Sequence, residues 1–455
     1  MQPKLKGIQY LTIASMLFGL FFGAGNLIFP VQMGQQAGRE IWPAVGGFLV
    51  TGVGLPLLGV IALGLSRCNG LAQLSSRVGR RYSLFFTCAL YLTIGPFFAI
   101  PRCATVPFEV GMIPLLSQGG EHNLALVIFS LAFFLAVLWF SLRPGKILTW
   151  VGKVLNPLFL LFLGALMVTA LLHPLGNIQQ IEPVEAYADS AFFKGFLEGY
   201  NTMDALAGLA FGIVVVNVIR GLGVQEPGEI ARSTVKAGLL SSVIMAAIYI
   251  AVTAAGAQSR GSYPLNTNGG ETLLLIANHY FGSAGGAILA GTVTFACLKT
   301  AVGLITSCGT TFHELFPSRV GYRGWAVLFC LISFLVATLG LEAIVAYSLP
   351  VLMFLYPLAI TLILLTLFGR FFGNDPRVYT WVTFFTLAAA LFDFVKSLPA
   401  SLRSFLHLDG LVELANKYLP FFSLGLGWLI PAAIGLVIGV VIHLSLPARQ
   451  SGEGI

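Results

Sequence analysis

The chain is patterned as long, almost uninterrupted apolar stretches separated by short polar turns. About 20 apolar residues in an α-helix cross a hydrocarbon core of about 30 Å. On that basis membrane spans fall near residues 8–33, 41–65, 84–105, 123–141, 148–172, 196–217, 238–257, 286–308, 324–340, 343–368, 379–397 and 421–446. The expected fold class is therefore all-α, a polytopic membrane protein of about twelve spans.

Two spans depart from the pattern. The first is interrupted by Gly23-Ala24-Gly25-Asn26, with Pro30 close behind. The sixth carries Glu198-Gly-Tyr-Asn-Thr-Met-Asp204-Ala-Leu-Ala-Gly208, equally poor as a lipid-facing helix. A break in mid-bilayer frees backbone N–H and C=O groups that lipid cannot satisfy, so such a break belongs on a protein-lined cavity. Cavities of this kind hold solutes and ions. Pro157 and Pro357 are expected to interrupt the fifth and tenth spans. A long outer connection near 173–195, with Glu182, Glu185 and Asp189, separates a first set of five spans (8–172) from a second (196–368), leaving two additional spans at 379–446. An odd number of spans per set makes the second enter the membrane from the opposite side, an inverted repeat within one transport domain of 1–455.

Composition agrees with a membrane protein: 57% of the 455 residues are hydrophobic and 9% charged, too little polar surface for a water-soluble globule. The net charge of +7 is a topology signal. Lys4 and Lys6, the turns bearing Arg67, Arg77, Arg80, Arg81, Arg143, Lys146, Lys153, Arg220, Arg232, Lys236, Arg319, Arg323, Arg370 and Arg377, and Arg449 lie on one side. Only Arg39, Arg102, Lys194, Arg260, Lys396, Arg403 and Lys417 lie on the other, which places both termini in the cytoplasm. These charges form no single basic face, so nucleic acid is not an expected partner. Met1-Gln2-Pro3-Lys4 runs into the first span without a cleavage-site pattern, and the segment is read as a retained helix. Six cysteines without metal-ligand or disulfide spacing read as packing residues.

Half-helices that meet inside a membrane present N–H groups from one piece and carbonyls from the other, which suits a zwitterion. In span one, Ala24, Gly25 and Asn26 offer N–H groups to a carboxylate, and the carbonyls of Gly19 and Phe22 offer ligands to a cation. In span six, carbonyls at Tyr200, Asn201 and Thr202 could take an ammonium, with Met203 and Leu206 as an apolar wall. Glycines here would also serve plain close packing of helices. In span eight, Gly303, Thr306 and Ser307 share one arc of a helix, a hard-oxygen set suited to Na⁺. Hydroxyls in such helices also commonly bond back to their own backbone.

At these residues the chain resembles the bacterial branched-chain amino acid:cation symporters (the LIVCS family), within the amino acid-polyamine-cation superfamily. The matching stretches are Phe18-Gly-Leu-Phe-Phe-Gly-Ala-Gly-Asn-Leu-Ile-Phe-Pro30, Thr93-Ile-Gly-Pro-Phe-Phe-Ala-Ile-Pro-Arg-Cys-Ala-Thr105, Glu198-Gly-Tyr-Asn-Thr-Met-Asp-Ala-Leu-Ala207 and Ala296-Cys-Leu-Lys-Thr-Ala-Val-Gly-Leu-Ile305. The resemblance implies uptake of leucine, isoleucine and valine across the bacterial inner (cytoplasmic) membrane, driven by Na⁺ or H⁺. It also implies the five-plus-five inverted repeat of the leucine-transporter fold, with broken helices one and six and two extra helices. That fold places substrate carboxylate contacts on Ala24 and Gly25, and a Na⁺ site on Gly19, Phe22, Gly303, Thr306 and Ser307; Tyr200, Thr202 and Met203 match less cleanly.

Four charged residues in or near the spans need an account. Lys299 lies one turn before Gly303, where a central basic group costs about 2.5–3.5 kcal/mol on insertion scales. It replaces Na⁺ or carries protons, pairs with Asp204, or reaches along an aqueous vestibule. Asp204 either joins that pair or caps the half-helix in its break. Arg102 with Glu109 either gates the outer mouth or anchors at the interface. The function these residues support is a secondary active carrier for branched-chain amino acids. Its rivals are another amino acid or nucleobase carrier on the same scaffold, an H⁺-coupled version using Lys299, a channel, or a membrane enzyme. The enzyme lacks the clustered intramembrane His, Asp or Glu that it would need. No cofactor beyond the coupling ion is expected, and oligomeric state is not legible.

Overall fold

The computed structural model describes residues 5–23, 25–66, 68–113, 116, 122–143, 156–317 and 320–445. Regular structure among them is entirely helical. In chain order the helices are α1 (Gly7–Phe21), α2 (Gly25–Ala37), α3 (Ile41–Leu49), α4 (Leu55–Ser66), α5 (Leu71–Ser75), α6 (Arg80–Leu92), α7 (Ala99–Pro107), α8 (Asn123–Ser141), α9 (Asn156–Leu172) and α10 (Glu185–Ala188). They continue as α11 (Ala191–Glu198), α12 (Asp204–Gly221), α13 (Pro227–Ser259), α14 (Gly269–Leu315), α15 (Tyr322–Ala337), α16 (Leu341–Phe368), α17 (Pro376–Ser397), α18 (Ala400–Phe405), α19 (Asp409–Tyr418) and α20 (Leu429–Ser445). Eight helical stretches among the described residues are long and apolar enough to cross a membrane, and four more apolar helices are shorter.

Several boundaries differ from expectation, each for a local reason. Gly38 takes φ +50°, and the chain turns there between α2 and α3. α13 runs for 33 residues, well beyond 238–257, because its first turns are polar yet begin with Pro227 at a helix N-terminus. α14 extends through 47 residues and bends at Gly282, whose φ of 64° no other residue type adopts cheaply. Pro157 is the second residue of the described helix Asn156–Leu172, and residues 144–155, where the expected interruption of the fifth span would show, lie outside the described residues. Pro357 leaves α16 continuous; the Thr361 hydroxyl donates to its carbonyl at 2.8 Å. The connection near 173–195 is tied down, with Arg39 paired to Glu182 at 2.7 Å and the Val184 N–H donating to Gln36 O.

Packing follows a reciprocal scheme. The pieces of the first broken span, α1 and α2, lie along α13; the pieces of the other, α11 and α12, lie along α3 and α4. α7 packs on α14 and α8 on α15, while α9 touches α13 and α14 as α16 touches α4 and α7. α17 bridges α16 and α20. Apolar side chains such as Leu124, Trp139, Leu161 and Val437 remain exposed, as a lipid-facing surface requires.

Lipid is as apolar as leucine, so helix association rests on close packing. The broken spans meet their partners through glycine. A Cβ on Gly47 would come within 1.9 Å of Phe192 O, and one on Gly195 within 1.9 Å of Ala44 O. On the opposite pair, a Cβ on Gly34 would come within 2.1 Å of Thr253 O and one on Gly256 within 2.3 Å of Val31 O. Gly195→Ala is therefore expected to lower the thermal midpoint of the purified protein, although alanine raises helix propensity by about 1 kcal/mol. A midpoint that stays or rises would contradict the contact.

Candidate functional site

The first break is built from side chain replacing main chain. α1 ends as the Phe22 N–H bonds Phe18 O at 2.7 Å. The next N–H, that of Gly23, would reach Gly19 O in a continuous helix. It turns instead to Asn26 Oδ1 at 2.9 Å, and α2 starts at Gly25 with its first-turn N–H groups lacking intrahelical partners. Ala24, an expected carboxylate contact, lies outside the described residues.

Asn26 also reaches across to the second break. Its Nδ2 donates to Asp204 Oδ2 at 2.5 Å and to the Tyr249 hydroxyl, which in turn donates to the same Asp204 oxygen at 3.1 Å. Asn26 and Asp204 are each 2% exposed and Tyr249 is 1% exposed. The three groups belong to α2, α12 and α13, so this junction fastens both breaks to one unbroken helix.

The second break begins after Glu198 with a 3₁₀ turn, Gly199–Thr202, and Met203 takes the left-handed φ of 62°. For a non-glycine residue that conformation costs about 1–2 kcal/mol, and such strain gathers at functional sites. Thr202 holds the turn: its hydroxyl donates to Gly199 O at 2.8 Å and accepts the Asp204 N–H at 3.3 Å. Of the three carbonyls expected to meet an ammonium, at Tyr200, Asn201 and Thr202, two are engaged, Tyr200 O by the Met203 N–H and Asn201 O by Arg102. The Tyr200 ring is buried away from the break, stacked on Tyr356 with centroids 3.9 Å apart.

Between the breaks lies a cavity whose wall includes Gly23, Gly25, Asn26, Thr202, Met203 and Asp204. Its apolar side is formed by Ile94, Ala207, Phe211 and Leu304, and Arg102, Cys103 and Thr300 complete it. Of the residues expected to bind substrate, Gly25, Asn26, Thr202 and Met203 share this wall, and Tyr200 does not. Arg102 is neither a surface anchor nor the partner of Glu109. It is 3% exposed, donating to Asn201 O and Ser348, while Glu109 accepts from Asn268 at 3.2 Å. Burial follows from its place on α7, which packs on α14 and also meets α16. Tyr249, Thr300 and Phe211 carried no distinguishing signal in the sequence.

The expected cation ligands sit apart from the cavity lining. Gly303 is partly buried, and the Thr306 hydroxyl donates to Val302 O at 2.7 Å, the backbone bond common in such helices. Gly23 approaches α14 closely, a Cβ there falling 3.3 Å from Thr300 Cγ2. The Asp204 carboxylate accepts from Asn26 and Tyr249, its N–H donates to the Thr202 hydroxyl, and the residue opens α12. Lys299 is partly buried on α14.

A bundle of apolar helices, two of them interrupted side by side around an internal cavity, defines a membrane carrier. The profile described as "Branched-chain amino acid transport protein" matches residues 6–446. The branched-chain amino acid permease BrnQ of Lactobacillus delbrueckii subsp. lactis is 52% identical over 434 residues, 95% of this chain and 96% of that protein. BrnQ of Bacillus subtilis (strain 168) is 42% identical over 444 residues, 98% and 99% respectively. BrnQ of Escherichia coli (strain K12) is 38% identical over 441 residues, 97% of each. Mhp1, a nucleobase-cation-symport-1 family transporter in a closed conformation with bromovinylhydantoin bound, superposes with a TM-score of 0.61 at 15% identity. That match covers 97% of this chain and 94% of Mhp1 and establishes the shared fold alone. The chain belongs to the branched-chain amino acid transport protein family, a family of bacterial multi-pass membrane transporters.

The junction has a measurable signature. Asn26→Ala and Asp204→Ala should each lower the unfolding free energy in detergent, by about 1–3 kcal/mol for an orphaned buried group. Combined, they should fall short of the sum by about 0.5–3 kcal/mol. Strict additivity would mean that the two side chains do not interact.

Proposed function

We propose that this protein imports leucine, isoleucine and valine across the bacterial cytoplasmic membrane by symport with a cation, Na⁺ or H⁺, through alternating access. The observation that carries the reading is the cavity between the two breaks, where Gly25 and Asn26 at the start of α2 and the buried Asp204 carboxylate share a wall with Ile94, Ala207, Phe211 and Leu304. The substrate carboxylate lies at the N-terminus of α2 near Gly25 and Asn26, its ammonium toward Thr202 and Asp204, and its branched side chain against Met203, Phe211, Leu304 and Ile94. An apolar wall separates side chains by about 1–3 kcal/mol per methylene, so the three substrates compete. The relatives' names as branched-chain amino acid permeases support this substrate class. The amino acid crosses unchanged, with no enzymatic step.

About twelve spans form two five-helix units related by inversion, 8–172 and 196–368, plus two added helices. The reciprocal packing supports this arrangement: α1 and α2 against α13 mirror α11 and α12 against α3 and α4, each pair closed by glycines. Both termini are cytoplasmic, as the distribution of Lys and Arg favours. Where Na⁺ is the coupling ion, the carbonyls of Gly19 and Phe22 with Gly303, Thr306 and Ser307 hold it. The rerouting of the Gly23 N–H to Asn26, which leaves Gly19 O without its usual helical donor, supports that set.

Purified protein in proteoliposomes, with Na⁺ and pH gradients imposed separately, is expected to accumulate radiolabelled leucine saturably under one of them, with isoleucine and valine competing. Absence of accumulation under both, or non-saturable flux, would contradict the reading. Gly25→Leu should abolish uptake while leaving expression intact, because a Cβ there already stands 3.0 Å from the Phe29 ring.

A further inference from the structure

Arg102 is a cation buried on the wall of the transport cavity, and its bonds leave it incomplete. Nη1 donates to Asn201 O at 2.8 Å, Nη2 donates to the Ser348 hydroxyl, and Cζ stands 5.3 Å from the Phe29 ring centroid. Nε is buried and without a partner among the described residues. A guanidinium offers five N–H donors in a rigid fork, and the bonds to Asn201 and Ser348 occupy only part of it. None of the ion pairs among the described residues includes Arg102. Burying a charge without a counter-charge costs several kcal/mol. Every partner that Arg102 has here is neutral.

Its position shows where an anion would restore the balance. The Asn201 carbonyl that receives Nη1 also faces Gly25, where a Cβ would lie 3.5 Å from that oxygen and 3.0 Å from the Phe29 ring. The guanidinium and the first residues of α2, Gly25 and Asn26, therefore line the same cavity, and a guanidinium and a helix N-terminus are both donors. Asp204, the acidic group of the same cavity, is fixed by Asn26 and Tyr249. The cavity thus carries one positive and one acidic side chain, the complement of a zwitterion.

We propose that Arg102 is the counter-ion of the substrate carboxylate, gripping it through its unoccupied N–H donors beside the α2 N-terminus. This rests on the amino acid transport reading and names the residue that enforces the α-carboxylate requirement. The bonds to Asn201 and Ser348 orient the fork, and they attach it to the second break and to α16. Carboxylate binding is in this way coupled to elements from both halves of the chain.

The test measures binding of L-leucine and of L-leucinol, which lacks the carboxylate, to the purified protein and to Arg102→Gln and Arg102→Lys. The unaltered protein should prefer leucine strongly. In Arg102→Gln, leucine affinity should fall by at least about 30-fold and leucinol affinity by less than about 3-fold, so that the preference collapses. Arg102→Lys, which keeps charge but loses the fork, should fall between. Should Arg102→Gln fail to yield folded protein, the leucine-to-leucinol ratio of Arg102→Lys decides alone. A ratio unchanged by substitution, whether both ligands weaken equally or neither does, overturns the proposal. If the unaltered protein binds no leucine, the transport reading falls, and this inference with it.

Discussion

The structure depends on satisfying backbone groups that two helices give up inside an apolar medium. Lipid offers them nothing, so each must find a partner within the protein or face a cavity. Asn26 meets this demand at the first break by taking the Gly23 N–H, and Thr202 meets it at the second by bonding Gly199 O and the Asp204 N–H. The Asn26, Asp204 and Tyr249 side chains then join the two breaks, so neither can move without disturbing the other. A buried polar network is stabilising only when its members are satisfied, which makes this junction sensitive to the loss of any one of them.

Around the junction, the packing divides labour between close contact and mobility. Glycines hold α2 to α13 and α11 to α3 at backbone distance, giving rigid pairs that contain one piece of each broken span. The opposite wall of the cavity comes from α7 and α14, which pack on each other. In the proposed cycle these two groups rock relative to one another. The polar cavity lies where they meet, so a substrate that bridges it biases the equilibrium between them.

Much of this was legible in the sequence. Gly23 and Gly25 with Asn26, and the run from Glu198 to Asp204, stood out because polar and glycine residues in a span have no place against lipid. The site that forms between the breaks could be anticipated from half-helix dipoles. Its cross-links could not: Tyr249 is one hydroxyl in a long apolar helix, and nothing in its spacing ties it to Asp204. Arg102 was misread because an arginine after Pro101 near the end of an apolar run resembles an interfacial anchor. Only the packing of α7 on α14, with α16 alongside, buries it. Pro357 reads as a break because its missing N–H counts against a helix, whereas α16 runs unbroken through it and Thr361 donates to its carbonyl. Tyr200 lies in the predicted segment but turns its ring to Tyr356, since a one-residue change of direction in a 3₁₀ turn is invisible to hydropathy.

An experimental structure with L-leucine bound tests the central claim most directly. The account predicts interrupted helices at residues 22–25 and 199–203, with the amino acid between them in contact with Gly25, Asn26, Thr202 and Met203. Continuous helices through both segments, or leucine bound away from them, would contradict it.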